Sequence, residues 1–267
     1  MDTTVLTNCL LKSGPDHDLS RAALGRYDRT ELPVYAIKEF KAGPLRNWVW
    51  FHNVLVVQKS FGAALGALHR MALTPRRYTT ATALEALRDV VLNNNAKLST
   101  LSAAYGKSAS VDRVLCDQYR LAMNMSIKKA WRRRRSLVSA VVHQLPCYRE
   151  QDPTESSGLL SVKPDDCAVP ECSLGAMLRA RTSDLERMRA AIVAAPDYST
   201  RREHQRRAKA LKEIIRKPKA EVTGTMCRDL GDCVIALLAP NDSVILTTNR
   251  RDHDLLAGAI GKLVASP

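Results

Sequence analysis

The sequence predicts an α/β protein, mostly helices around few strands, with a helical elaboration in the middle of the chain. Three observations carry this. Apolar residues recur at helical spacing, as in Val5, Leu6, Leu10 and Leu11, and again in Val57, Phe61, Ala64, Leu65 and Leu68. Short uninterrupted apolar runs, Val244-Ile245-Leu246 above all, have the length of buried strands. Finally, 267 residues with 45% hydrophobic and 25% charged side chains suffice for a full core, in one large domain or two small ones.

Asp2 precedes the first periodic stretch and so sits at a strand-to-helix junction or helix start. Residues 13–31, with Gly14-Pro15 and several Asp and Arg, read as a loop or frayed turn. Pro33 can open a helix through Ile37 and Phe40, which Gly43-Pro44 then ends, leaving Glu39 near its end. A buried helix follows from Val54, although 48–57 fits a strand equally well. Thr82-Ala83-Leu84-Glu85 and Ser183-Asp184-Leu185-Glu186 are capping boxes ahead of further helices. A long helix is expected from about Val111 to Leu145, with Val138, Val141, Val142 and Leu145 on one stripe. Residues 150–172 hold six acids, three prolines and Ser156-Ser157-Gly158, and read as a mobile loop. Arg201 to Lys219 forms a basic helix or extended arm, and Asp232 to Leu238 a helix that begins with an acid.

Charge narrows the function. Lys and Arg total 41 against 27 acids, a net charge of +14, which favours a polyanionic partner, most simply nucleic acid. Aromatic residues are only 5%, so recognition by base stacking is a weak expectation. No basic amphipathic stretch with a bulky aromatic face points to a membrane surface, and no apolar run approaches the ~20 residues of a span. Seven cysteines without close pairing and no charged-then-apolar leader lead to the expectation of reduced thiols in a cytoplasmic protein. His143 with Cys147, Cys167 and Cys172 lacks the paired spacing of a zinc site.

Against this basic background, a few acids form an unusual constellation: Asp2, Glu39, Asp229, Asp232 and Asp252, the last in Thr247-Thr248-Asn249-Arg250-Arg251-Asp252. Carboxylates gathered where a polyanion binds suggest a divalent-cation site. Mg²⁺ and Mn²⁺ prefer hard oxygen ligands, and they assist phosphodiester cleavage by acidifying water and neutralising the departing oxygen. The bland alternatives are helix caps for Asp2, Asp232 and Asp252, and a surface pairing with Lys38 or Lys41 for Glu39.

The Asp2-Thr3-Thr4-Val5-Leu6 opening, a glutamate in an apolar helix followed by Gly43, and the 247–252 segment resemble PIN-domain nucleases, closest to toxin ribonucleases of toxin–antitoxin modules. The resemblance covers the two ends of the chain. It implies a PIN-like core with a short central parallel sheet flanked by helices, formed by 1–75 and 205–267, with 76–204 as a mainly helical insertion. It further implies Mg²⁺ or Mn²⁺ held by Asp2, Glu39 and Asp232, with Asp229 close by, Asp252 or Asn249 assisting, Thr247 orienting a ligand, and RNA preferred over DNA. Only Met1 precedes Asp2, where relatives carry a first strand, and Asn249 stands where many have Asp.

Lys128, Lys129, Arg132, Arg133, Arg134 and Arg135, with Arg201, Arg202, Arg206 and Arg207, are expected to grip the phosphate backbone; a docking surface for an acidic protein, or for the chain's own 150–172 loop, is the alternative. Trp131 is a base-stacking residue or a core anchor. The expected protein is thus a metal-dependent endonuclease. Two rivals stand beside it: a non-catalytic nucleic-acid-binding or scaffold protein on a degenerate PIN core, and a toxin-like effector held by an inhibitory partner. Self-association stays open.

Overall fold

The computed structural model describes residues 1–73, 110–163, 173–217 and 222–267. It is helix-rich with a few short strands. In chain order the elements are α1 Thr3–Leu11, α2 Pro15–Leu24, β1 Glu31–Pro33, α3 Val34–Phe40, a π-helical turn Lys41–Leu45, α4 Arg46–Gln58, α5 Phe61–Ala72, α6 Val111–Arg133, β2 Ala140–Val142, β3 Thr154–Ser156 and β4 Leu159–Ser161. There follow α7 Ser173–Ala180, α8 Thr182–Ala194, α9 Arg202–Arg216, α10 Gly224–Asp229, α11 Gly231–Leu238, β5 Val244–Leu246, α12 Arg250–Ala259 and β6 Leu263–Ala265.

Two parallel ladders form the frame: β1 pairs with β2 in the register Glu31–Ala140 to Pro33–Val142, and β5 pairs with β6 from Val244–Leu263 to Leu246–Ala265. Met1 and Asp2 join them. The Met1 amine donates to the Glu31 carbonyl at 2.9 Å, and the Asp2 N–H donates to the Leu246 carbonyl at 3.0 Å. Two residues therefore bridge the ladders where a central strand would otherwise lie, and Asp2 emerges directly into α1.

The helices close over this frame by burying their apolar faces. α3 is nearly all core, with Val34, Ala36, Ile37 and Phe40 fully buried. It packs on α1 and α11. The expected stop at Gly43-Pro44 does not occur: the chain passes through one π turn, which absorbs the amide missing at Pro44, and continues as α4. The 48–57 stretch is accordingly helix. Lys59, left-handed at φ 51°, then breaks the chain, and the Ser60 hydroxyl caps α5 through the Ala63 N–H at 3.1 Å.

Three other expectations need correction. Residues 15–24 form a helix, begun by Pro15 at its first position and by Asp16 and Asp18 in the first turn, where acids suit the helix dipole. The long helix ends at Arg133, and Val141 and Val142 belong to β2. A short β-branched run can satisfy a strand edge as well as a helical stripe, and here the β1 edge takes it. Ser183-Asp184-Leu185-Glu186 is not a capping box: α8 starts one residue earlier, and the Asp184 carboxylate binds Arg181 and Arg187.

Within 150–163 the acidic loop contains a hairpin, β3 and β4, turned by Ser157 and Gly158 at φ 50° and 77°, the positive pair a tight I′-type turn demands. Thr82 to Glu85, Cys167, Cys172 and Lys219 lie outside the described residues. Arg201 to Arg216, Asp232 to Leu238 and Val244 to Leu246 adopt the expected helix, helix and strand. The core is continuous from Leu6 to Ile260 and includes Met123, Ile127, Trp131, Leu185, Met188 and Ile192 from the 76–204 segment. Buried Lys262 donates to the Ala236 and Leu237 carbonyls at 2.9 and 3.3 Å and so caps the end of α11. Among the described residues no helix is long and apolar enough to cross a membrane.

Candidate functional site

Asp2 is the N-cap of α1 and is only 2% exposed. One carboxylate oxygen, Oδ1, accepts the Thr3 N–H at 2.6 Å; the other, Oδ2, accepts the hydroxyls of Thr4 and Thr247, each at 2.7 Å. Thr4 Oγ1 in turn accepts the Thr248 N–H at 3.1 Å, tying the start of α1 to the end of β5. Burial would raise the acid's pKa, but His253 and the Thr247 and Thr4 hydroxyls outweigh it and hold the pKa at about 2. The carboxylate is therefore anionic at neutral pH and fixed in direction.

Glu39, one residue from the end of α3, reaches the same space. Its Oε2 accepts the Thr3 hydroxyl at 2.7 Å. Burial pushes its pKa up to about 8; the Thr3 bond opposes this, and the nearby charges of Asp2 and Asp232 reinforce it. Among the described residues no cation pairs with it. Gly231, the first residue of α11, lies against it: a Cβ there would overlap Glu39 Oε1 and stand 3.1 Å from the Tyr35 hydroxyl. Only glycine lets this helix start so close to the glutamate. Tyr35 is held by donating to the Cys227 carbonyl at 2.6 Å.

Asp232 follows in the first turn of α11. Its Oδ2 lies 2.5 Å from Arg207 Nη2, and its Oδ1 lies 3.5 Å from His253 Nε2. Burial raises its pKa against the pull of Arg207 and His253, and Asp2 and Asp252 add to the rise. His253, fully buried on α12, also lies 3.6 Å from Asp2 Oδ2 and so bridges the acids of the two chain ends. Burial lowers its pKa, but the three aspartates prevail and the net shift is upward.

Asp252 lies in the first turn of α12, 4% exposed, with its Oδ2 accepting Asn249 Nδ2 at 3.2 Å. Arg207 Nη2 stands 3.8 Å from the same oxygen; Arg201 Nη1 is 2.6 Å and His204 Nε2 3.5 Å from Oδ1. The Arg201 approach is a charge contact rather than an aligned hydrogen bond. Burial works to raise this pKa, but Arg207, Asn249 and Arg201 carry it below the ordinary value. Asn249 caps nothing with its side chain; its N–H donates to Thr247 Oγ1 at 2.9 Å.

The structure thus brings together Asp2, Glu39, Asp232, Asp252, Thr247 and Asn249. Asp229 is set apart, its carboxylate facing Arg206 at 3.4 Å and its carbonyl accepting Arg207 Nε at 3.3 Å. Sequence reasoning misses Thr3, Thr4, Tyr35, Gly231 and His204, and gives His253 no particular role. The Thr3-Thr4 pair directly after Asp2 is the signal that could have found two of them, since hydroxyls next to a buried acid are its nearest donors.

The basic residues divide. Arg201 and Arg207 face the acids, whereas Arg202 and Arg206 on the same helix α9 are exposed. On α6 and just beyond it, Lys129, Arg132, Arg133 and Arg135 are exposed. Lys128 binds Glu155 at 2.7 Å, and Glu150 pairs with both Arg134 and Arg135. Arg134 is buried over the Trp131 ring, 3.6 Å from its centroid, and the Trp131 indole N–H donates to Asp152 at 2.9 Å. The chain's own acidic segment therefore takes up part of the arginine run, and Trp131 is a core residue. Cys9, Cys116, Cys147, Cys227 and Cys233 are buried free thiols.

Among the described residues no three His, Cys, Asp or Glu side chains are grouped as a ready metal cage. The donor chemistry nonetheless fits a hard divalent cation: Asp2, Glu39 and Asp232 present carboxylate oxygens to one buried space, and Glu39 is left without a counter-charge. Arg207 and His253 neutralise the other two, so a cation would enter in competition with them. No family model matches the chain, and no curated protein or solved structure shows significant similarity to it.

Proposed function

We propose that this protein is a metal-dependent nuclease that hydrolyses phosphodiester bonds, RNA for preference, on a PIN-like core. The observation that carries the reading is the meeting of Asp2, Glu39 and Asp232 from opposite ends of the chain, with Glu39 pushed to a pKa of about 8 for want of a positive partner. Isolated carboxylates crowded in this way repel one another, and a divalent cation removes the penalty. The two parallel ladders bridged at Met1–Asp2 support the core assignment, and the resemblance of the terminal motifs supports the preference for RNA.

Asp2, Glu39 and Asp232 would hold Mg²⁺ or Mn²⁺. When bound, the cation supplies Lewis-acid activation of water and neutralises charge at the phosphate. The chain does the rest. Thr4 and Thr247 fix the direction of Asp2 Oδ2, and Thr3 fixes Glu39 Oε2. Glu39 carries a proton at neutral pH in the metal-free protein and releases it from its carboxyl group when a positive charge arrives. Asp252 holds Arg201 and Arg207 at the rim, where guanidinium groups can meet a phosphate. Asp232→Asn, with its fold verified by circular dichroism, is expected to lose Mn²⁺-dependent cleavage of a single-stranded RNA by roughly a hundredfold or more, the scale of losing a group that acts at the transition state. Undiminished cutting would refute the assignment.

One observation favours a second reading, a non-catalytic nucleic-acid binder: Arg207 and His253 already balance Asp232 and Asp2. On that reading the protein binds RNA in a salt-dependent way but shows no saturable Mn²⁺ uptake.

A further inference from the structure

A second cavity of about 190 Å³ opens beside the acidic site, with Glu39 in its wall and Lys38, Lys41, Arg46, Lys163 and Arg228 around it. These cations come from four places in the chain: α3 and the π turn, the start of α4, the end of the β3–β4 hairpin, and α10. Such convergence is not the solvated face of one helix. Two of the five are buried and tethered. Lys38 Nζ donates to Cys147 Sγ at 3.1 Å, and Lys41 Nζ donates to the Arg149 carbonyl at 2.9 Å while lying 5.5 Å from the Tyr148 ring centroid.

The other three are different. Arg46, Lys163 and Arg228 are exposed, and among the described residues no carboxylate pairs with any of them. Elsewhere the protein matches its inward-facing charges: Arg134 with Glu150, Lys128 with Glu155, Arg207 with Asp232, Arg251 with Asp197. Around this cavity five cations face one carboxylic acid. Like charges held together without acids repel, and the arrangement is relieved by an anion entering between them.

We infer that this cavity binds a backbone phosphate of a single nucleic-acid strand, the neighbour of the phosphodiester presented to Glu39. Arg46 and Arg228 supply planar donor forks suited to phosphate oxygens, and Lys163 supplies a point charge on a flexible stem. The cavity accommodates a phosphate with part of its ribose, so it reads the backbone and not the base, and sets how far the strand advances past the acids. This assignment rests on the nuclease reading for its meaning, but the binding it describes needs no metal and no cleavage.

The test is fluorescence anisotropy of a labelled single-stranded RNA oligonucleotide on the full chain in EDTA, over a series of salt concentrations. The triple variant Arg46→Ala/Lys163→Ala/Arg228→Ala is expected to bind roughly tenfold or more weakly at physiological salt. Its slope of log affinity against log salt is expected to fall by about 2, since each lost phosphate contact on a single strand removes roughly 0.7. Lys129→Ala/Arg132→Ala/Arg133→Ala removes the same charge elsewhere and is expected to weaken binding less; an equal loss would mean diffuse electrostatics and overturn the proposal. An unchanged affinity and slope in the first triple variant would overturn it as well. So would displacement of the RNA by polyglutamate as readily as by unlabelled RNA, which would mark a generic anion sink. Asp232→Asn is expected to bind like the unaltered chain in EDTA, so a failure of the metal chemistry and a failure of this pocket are read separately.

Discussion

Glu39 and Asp2 lie in one buried space, yet their protons behave in opposite ways, and the cause is the local donor set. Asp2 accepts three hydrogen bonds and faces His253; Glu39 accepts the Thr3 hydroxyl and meets two anions. For Glu39 the folded pKa of about 8 lies above the ordinary 4.5, so between these pH values the folded state binds more protons than the unfolded one. Stability contributed by this group is therefore present below pH 4.5 and lost as pH rises toward 8. For Asp2 the folded pKa of about 2 lies below 3.8, so its contribution is present above pH 3.8 and lost as pH falls toward 2. In metal-free buffer, Glu39→Gln is expected to be more stable than the unaltered chain at pH 8 by a few kcal/mol and near-equal at pH 4.5, as read by urea unfolding. A pH-independent difference would show that Glu39 is not held protonated. Gly231→Ala is expected to cost roughly 1–3 kcal/mol in the same assay, because its Cβ overlaps Glu39 Oε1 and one of the two must move.

At the scale of elements, α9 has two functions on two faces. Its outer face carries Arg202 and Arg206, and its inner face delivers Arg207 to Asp232 and Asp252. A guanidinium and a divalent cation seek the same oxygens, so the two compete. Arg207→Gln is expected to lower melting temperature in EDTA, since removing one partner of a buried pair leaves uncompensated charge at a cost of about 3–5 kcal/mol. Mn²⁺ is expected to restore more stability to this variant than to the unaltered chain, by linkage to tighter binding. Equal Mn²⁺-induced shifts in both would separate Arg207 from the cation's seat.

The same element shows what is legible in the sequence. Nine Lys and Arg within 201–219 announce a basic helix, but not which of them turn inward, because that depends on where Asp232 and Asp252 dock. The arginines of α6 fit phosphate contacts or partners of the acidic loop equally well by sequence; Glu150 and Asp152 realise the second for Arg134, Arg135 and Trp131. The mistaken helix through Val142 has a similar cause: the β1 edge lies more than a hundred residues away, and local periodicity cannot register it.

For the whole molecule, the decisive fact is the closure of the chain's two ends. Asp2 and Thr247 are hydrogen bonded across 245 positions, and His253 spans from Asp2 to Asp232. The four acids are legible as residues that a basic protein has little reason to gather; their supporting threonines, glycine and histidine are not, because support is a property of geometry. The core runs without interruption through segments expected to belong to an insertion, so the site is braced by most of the described chain.

Whether acids from both ends form one divalent-cation site is decided by calorimetric titration of the full chain with Mn²⁺, beside Asp2→Asn. Saturable binding is expected in the unaltered chain, and its loss in Asp2→Asn with the fold retained by circular dichroism. Absence of saturable binding, or binding indifferent to the loss of the Asp2 charge, would show that no such site exists.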